Sequence, residues 1–537
     1  MASSSASTPK DLPPAMLDVA TSVADWVIVW PIALPMVGAA ILLMFRRRIE
    51  LQAPFSFAVI LGTVLSNFYL LGRIYADGPL TMTMGNWLPP FGISFTADTF
   101  GALLALVASV VMLFVVLYVQ SEVENRENLY GYHPLLLLLL SGVSGAFLTG
   151  DLFNLYVWFE LMLIASFGLM VIGGRKIQLD AAVKYGFLNF LATTIFLIAI
   201  AYTYGLVGTL NMADIMRKAP YVENGSISAV AALFFLAFAM KGAAFPVNSW
   251  LPASYHAPDP AVSALFAGLL TKVGIYALVR VHFMLIPQSF DQLQPVMMVV
   301  AGLTLVLSPM GAIAQTNIRR ALGFFVMGGI GAMLAGLAFG PQMGGTGIAL
   351  YAVHSMLTMT ALYLASGLVE RIGGTSDIRH LGGLYRASSP LSIIFLILVF
   401  ATAGLPPFLG FWPKMVLVNS GVRLAGSGMD AMGAYHWWLV AALLVNSILT
   451  SIAGTRIWAH VFWRNGREGK QSEIPNDRLK PLDRKGVRWG LVPTAALVAL
   501  IVALGLFPNI YFEAGLSSGA SVLQTQGYEY SVFGGAS

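Results

Sequence analysis

Residues 240–280 read MKGAAFPVNSWLPASYHAPDPAVSALFAGLLTKVGIYALVR. Two apolar segments meet here across a Pro-rich loop, and each carries a lysine, Lys241 and Lys272. The first segment is interrupted at Phe245-Pro246. Proline removes an intrahelical hydrogen bond, and the freed carbonyls must face protein or water rather than lipid. A charge at the centre of a spanning helix costs about 2.5–3.5 kcal/mol even on lenient insertion scales. A chain that keeps such residues uses them, which points to an ion or proton path through the membrane interior.

The rest of the chain agrees with a membrane setting. Of its 537 residues, 57% are hydrophobic and 10% charged, where soluble chains carry about a quarter charged residues. Apolar runs of about 17 residues or more recur throughout. The fold class is therefore an all-α polytopic membrane protein with about 14 transmembrane helices. Cysteine is absent, which excludes disulfides, thiolate nucleophiles and iron–sulfur ligands. There is no P-loop, no Rossmann fingerprint and no Cys/His cluster with metal-ligand spacing. No cofactor or metal is predicted, and the chain reads as a transporter component rather than an enzyme. Its basic residues sit mostly in short loops between spans, so nucleic acid is not a partner.

A polar tail, 1–23, precedes the first span and lacks the apolar core of a cleavable leader. The spans then run 24–45, 54–76, 96–119, 133–149, 151–173, 180–206, 227–256, 259–284, 293–315, 320–340, 345–370, 390–424, 434–463 and 488–508. Loops after odd-numbered spans hold 19 Lys or Arg, against 5 (Arg73, Arg217, Lys218, Arg280, Arg423) after even-numbered spans. The positive-inside rule makes the odd loops cytoplasmic, including the basic loop 464–487, with both termini outside the cell membrane.

The twelfth span repeats the grammar of the seventh. AGLPPFLGFWPK (Ala403 to Lys414) again has an early proline, a tryptophan and a second proline. Pro246 and Pro406 lie 160 residues apart, as do the starts of spans four and nine. The offset is five spans, so the halves 133–284 and 293–463 are expected to form inverted repeats. Ahead of them stand helices 1–3 (24–132), and after them helix 14 with a C-terminal tail (488–537). Discontinuous helices in inverted repeats mark sites near the bilayer midplane; a pair of ordinary proline kinks is the simpler alternative.

Six ionisable residues are candidates for the path: Glu160, Lys184, Lys241, Lys272, His354 and Lys414. Glu160, mid-span in GDLFNLYVWFELMLIASFGLM, and Lys241 belong to one half-bundle and could pair, as a switch or as a static salt bridge. Lys272 has no acid adjacent in sequence, and burial would move its pKa toward neutrality. Lys184 stands one turn into span six, where snorkelling to the surface competes. Lys414 follows the second break, as a terminal exchange site or a helix-end cap. His354 shares a helical face with Tyr351 and Thr358, as a relay or a hydrogen-bonded core histidine. Asp151 is placed to cap its helix, and His256 and Asp259 to structure the loop between spans seven and eight or to gate water entry there.

With these segments the chain resembles the Mrp-type multisubunit Na+(K+)/H+ antiporters, and among their components the D-type (MrpD/PhaD) above all. That family is related to the antiporter-like proton-pumping subunits of respiratory complex I. The similarity extends over about 24–510. It implies fourteen helices, two inverted five-helix repeats and a polar axis along the middle of the membrane. Glu160, Lys184, Lys241, Lys272, His354 and Lys414 fall at the family's motif positions. Relatives with a second ionisable residue one turn from the histidine differ from this chain, where Leu350, Tyr351, Leu357 and Thr358 are uncharged.

The resemblance implies a proton-translocating subunit of a monovalent cation/proton antiporter. Its partners would be the other subunits of a hetero-oligomeric Mrp-type complex, protons with Na+ or K+, and the lipid bilayer. Alternatives are a proton-pumping antiporter-like subunit of complex I or of a membrane hydrogenase-type complex, and a non-transporting scaffold.

Overall fold

The computed structural model describes residues 23–123, 125–426, 433–468 and 476–534. Nearly all of the 1–23 tail and part of the 464–487 loop lie outside them. Among the described residues the chain is a bundle of long apolar helices with a single hairpin. The helices that position the site are α1 (Trp30–Met44), α2 (Ile49–Asp77), α3 (Thr99–Glu122), α4 (Tyr132–Leu148), α5 (Leu152–Val171) and α6 (Lys176–Val207). Next come α7 (Asn224–Gly242) and the short α8 (Trp250–Ser254). They are followed by α9 (Pro260–Leu285), α10 (Phe290–Ala314), α11 (Ile318–Ala338) and α12 (Pro341–Gly373). The last group is α13 (Ser389–Ala403), α14 (Phe411–Gly426), α15 (Gly433–Trp458), α16 (Val492–Leu506), α17 (Asn509–Leu523) and α18 (Thr525–Phe533).

Eleven described helices are long and apolar enough to cross a bilayer. Three shorter apolar ones, α1, α4 and α13, join them. Their ends carry the expected chemistry. Asp151 caps α5 by accepting from Asn154 N at 2.8 Å, as the sequence predicts, and Asp98 and Asn317 do the same for α3 and α11.

Burial sorts the helices into a centre and a rim. In α9, α11 and α12 at least 94% of the most apolar window is buried, against 39% in α2, α6 and α16. Helix α12 packs against α3, α9, α11, α13, α14 and α17. The central helices carry Lys272, Arg319 and His354, all three buried.

Several features exceed the apolar pattern. Strands β1 (Leu80–Thr83) and β2 (Ser94–Ala97) form an antiparallel hairpin, Leu80 opposite Ala97. Beyond Pro508 the chain stays helical in α17 and α18, where Tyr511 donates to Leu350 O at 2.5 Å. Arg280, counted above among the loop residues, lies inside α9 at 1% exposure, ion-paired to Asp98 at 2.5 Å.

Candidate functional site

Helix α7 ends at Gly242 and helical structure resumes at Trp250, so the chain is open across the Phe245-Pro246 interruption. Ala243 closes α7 in the left-handed region at φ 57°, which only a well-supported non-glycine residue sustains. The support is visible. Trp250 donates its indole N–H to Met240 O at 3.0 Å, and Phe245 N donates to Thr304 Oγ1 at 3.0 Å. Lys241, in the last turn of α7, is buried, and its Nζ lies 4.7 Å from the centroid of the Phe159 ring. That is cation–π geometry. A cavity of about 20 Å³ beside it, lined in part by Tyr185, Asn189 and Trp250, has room for about one water.

Glu160 follows Phe159 on α5 and is half-buried. It is the electrostatic neighbour of Lys241, but no direct ion pair joins the two among the described residues. The intervening aromatic ring meets the ammonium in its place.

Lys272 is 1% exposed at the centre of α9, and its Nζ donates to Ala267 O at 2.5 Å. Ala267 belongs to a π-helical turn, Phe266–Leu270, which breaks the regular hydrogen-bond ladder one turn before the lysine. Such turns free a carbonyl and favour functional positions. No carboxylate pairs with Lys272 among the described residues.

His354 on α12 is buried with Nδ1 3.1 Å from Thr358 Oγ1 and its ring edge-on to Tyr351 at 5.4 Å. Lys272 and Lys414 are both its electrostatic neighbours. Its ring lies against Gly410: a Cβ there would sit 2.7 Å from Cε1 and 2.8 Å from Nε2. Gly410 belongs to the second break, between α13 and α14.

Lys414, in the first turn of α14, is held by that break. Its Nζ donates to Ala403 O at 2.9 Å, Thr402 O at 3.4 Å and Ser447 Oγ at 3.0 Å. The two carbonyls are orphans at the C-terminal end of α13, where the helix dipole favours a cation. Gly404, at φ 82°, leaves space for the lysine stem, since a Cβ there would lie 2.6 Å from Lys414 Cδ.

Lys184 stands apart. Helix α6 begins at Lys176, so the residue lies two turns in, half exposed and ion-paired to Asp180 at 2.5 Å. Arg456 donates to Ile313 O at the end of α10. Three participants escaped the sequence reading: Phe159, Ser447 and Gly410. Only Phe159, adjacent to Glu160, gave any local signal.

A multi-pass bundle of apolar helices with buried lysines beside its two breaks and a π turn defines a polytopic membrane protein. The family described as NADH:quinone oxidoreductase/Mrp antiporter, TM, matches residues 149–450. The D component of the Na(+)/H(+) antiporter of Alkalihalophilus pseudofirmus is 34% identical over 94% of this chain and 99% of its own. Its Bacillus subtilis counterpart is 36% identical over 89% and 93%. A chain of the Mrp complex from Dietzia sp. DQ12-45-1b superposes with TM-score 0.85 at 29% identity, over 96% of this chain and all of that one. A chain of an archaeal membrane-bound sulfane sulfur reductase superposes with TM-score 0.84 at 26% identity, covering 94% and 99%. A chain of respiratory complex I from Thermus thermophilus, 23% identical, shares the fold at TM-score 0.77, over 95% and 100%. The chain belongs to the NADH:quinone oxidoreductase/Mrp antiporter family, within its group of D-type Na+/H+ antiporter subunits.

Proposed function

We propose that this chain moves protons along a buried axis of Glu160, Lys241, Lys272, His354 and Lys414, as one subunit of a hetero-oligomeric monovalent cation/proton antiporter in the cell membrane. The observation that carries the reading is that Lys241, Lys272 and Lys414 are buried without a direct ion pair among the described residues. Each meets instead an aromatic face, a backbone carbonyl or a hydroxyl. A lysine amine without a fixed counter-charge is free to give up and take back a proton. Lys184, exposed and paired, lies outside the axis.

The architecture proposed with it has fourteen passes: the eleven long spans, α1, α4, and α13 with α14 as one broken span. Two inverted five-helix repeats, 133–284 and 293–463, are supported by the matching breaks after Gly242 and Ala403. The basic loops face the cytoplasm and both termini lie outside.

The test is antiport in membrane vesicles with Glu160, Lys241, Lys272 and Lys414 neutralised one at a time, each variant checked for assembly. Normal transport in all four defeats the axis. A redox-linked role is the second reading, favoured by the likeness to the sulfane sulfur reductase chain. Co-purification separates them: Mrp-type partner subunits support the first, flavin and iron–sulfur subunits the second.

A further inference from the structure

On the side of the basic loops lies a cleft that the lysine axis does not use. It opens between the end of α3, the first turns of α9 and α11, and the end of α12, with a volume of about 380 Å³. Glu122, Asp259 and Glu370 line it together with Arg175, Arg319 and Arg371. Arg175 is ion-paired to Asp259 at the rim, where the arginine is half exposed. Arg319 pairs with Glu370 at 3.1 Å and Arg371 with Asp483 at 2.8 Å.

Two groups in the wall are unsatisfied. Arg319 has a side chain only 7% exposed and donates through Nη1 to Pro258 O, yet its Nε–H has no partner. Both carboxylate oxygens of Glu122 are shielded from the surface, and the Ala261 backbone N–H is their polar neighbour at the start of α9. Their charged and titratable neighbours are Tyr118, Tyr132, Asp259, Arg319, Glu370 and Arg371. Buried donors and acceptors on a roomy polar cavity call for ordered water.

Polar groups continue inward from the cleft. Ser263 Oγ lies 3.5 Å from Arg319 Nη1. Thr360 Oγ1 reaches Ala264 O at 3.4 Å and packs on Gly268, where a Cβ would collide with it. Ala267 O, in the same π turn, accepts from Lys272 Nζ. From Asp259 to Lys272 the helix climbs about 20 Å, so the series runs from the surface to the bundle centre.

We infer that this cleft is a hydrated vestibule in which Glu122 collects protons for Lys272, with the Arg175–Asp259 pair as its outer closure. The inference rests on the proton path proposed above. In its protonated form Glu122 gives its proton to water at Ser263 and Thr360, and Lys272 in its deprotonated form accepts one from that water and becomes ammonium. Glu122, left as carboxylate, takes its next proton from the aqueous phase at the basic-loop side.

The absence of cysteine allows a test that does not depend on transport. Ser263→Cys in the assembled complex is exposed to a membrane-impermeant cationic thiosulfonate in vesicles of either orientation, with Ala146→Cys in the packed interior of α4 as reference. The expected result is modification at position 263 at least tenfold faster than at 146, from the basic-loop side alone, and several-fold faster again with Asp259→Asn. Equal rates at the two positions, or from the two sides, overturn the vestibule. Glu122→Gln is expected to cut antiport at least fivefold in assembled complex, with Glu122→Asp restoring most of it. Wild-type antiport in Glu122→Gln overturns its role as collector. Wild-type antiport in assembled Lys272→Met, by contrast, defeats the path reading itself and leaves the labelling result standing.

Discussion

Asp98→Asn separates charge from capping at the best-buried ion pair among the described residues. Asp98 Oδ1 accepts from Gly101 N at 2.9 Å to cap α3, a bond that asparagine also makes. The two carboxylate oxygens also accept from Arg280, at 2.7 Å from Nη1 and 2.5 Å from Nη2, with both side chains 1% exposed. The guanidinium cannot shed its proton, so the amide leaves a buried cation without its counter-charge. Breaking a buried pair from one side costs about 3–5 kcal/mol. The retained cap, the Met284 Sδ contact and the Tyr276 ring 4.8 Å away place the expected loss at the lower end. A loss of about 3 kcal/mol corresponds to roughly two factors of ten in the folded-to-unfolded ratio. Equilibrium unfolding in graded SDS, in mixed micelles, measures it. Adding Arg280→Met removes the stranded cation and is expected to recover most of the loss. The reasoning is refuted if Asp98→Asn lies within about 0.5 kcal/mol of the parent, or if the second substitution adds to the loss instead of offsetting it.

Three further outcomes follow from the site. Gly410→Ala drives a Cβ into the His354 ring and the Ala401 carbonyl; over-packing of about 1–3 kcal/mol should lower antiport in vesicles while assembly persists. Ser447→Ala removes one of the three acceptors of Lys414 Nζ and should reduce the antiport rate several-fold with unchanged complex yield. Lys184→Met should leave at least half of the antiport rate, because its pair with Asp180 is solvent-exposed and such pairs contribute little.

What the sequence made legible was set by cost. Lys241, Lys272, Lys414 and His354 stand out because a polar residue inside an apolar run must be compensated, and all four are buried. The two breaks were readable because proline near mid-span forbids a continuous ladder. The partners were not readable, since each arises from packing between distant segments. Ser447 reaches Lys414 from α15, and Asp98 lies 182 residues from Arg280. The latter pair hides as an ordinary loop acid and an ordinary loop base until α3 and α9 are brought together. Lys184 shows the limit of that signal. Its apolar span left burial and snorkelling both open, because the side of a helix that faces away from the bundle is just as apolar in a membrane protein as the side that faces in, and the structure places it half exposed beside Asp180. The π turns before Lys272 and at Arg280–Leu285 leave no compositional mark at all.

The most direct test of the proton axis is Lys272→Arg, which keeps the charge and removes the ability to give up a proton. In assembled complex reconstituted in vesicles, cation-driven proton movement is expected to fall at least tenfold with Lys272→Arg, as it does with Lys272→Met. Proton movement at the parent rate with Lys272→Arg would mean that this buried amine never cycles, and the axis as drawn would be wrong.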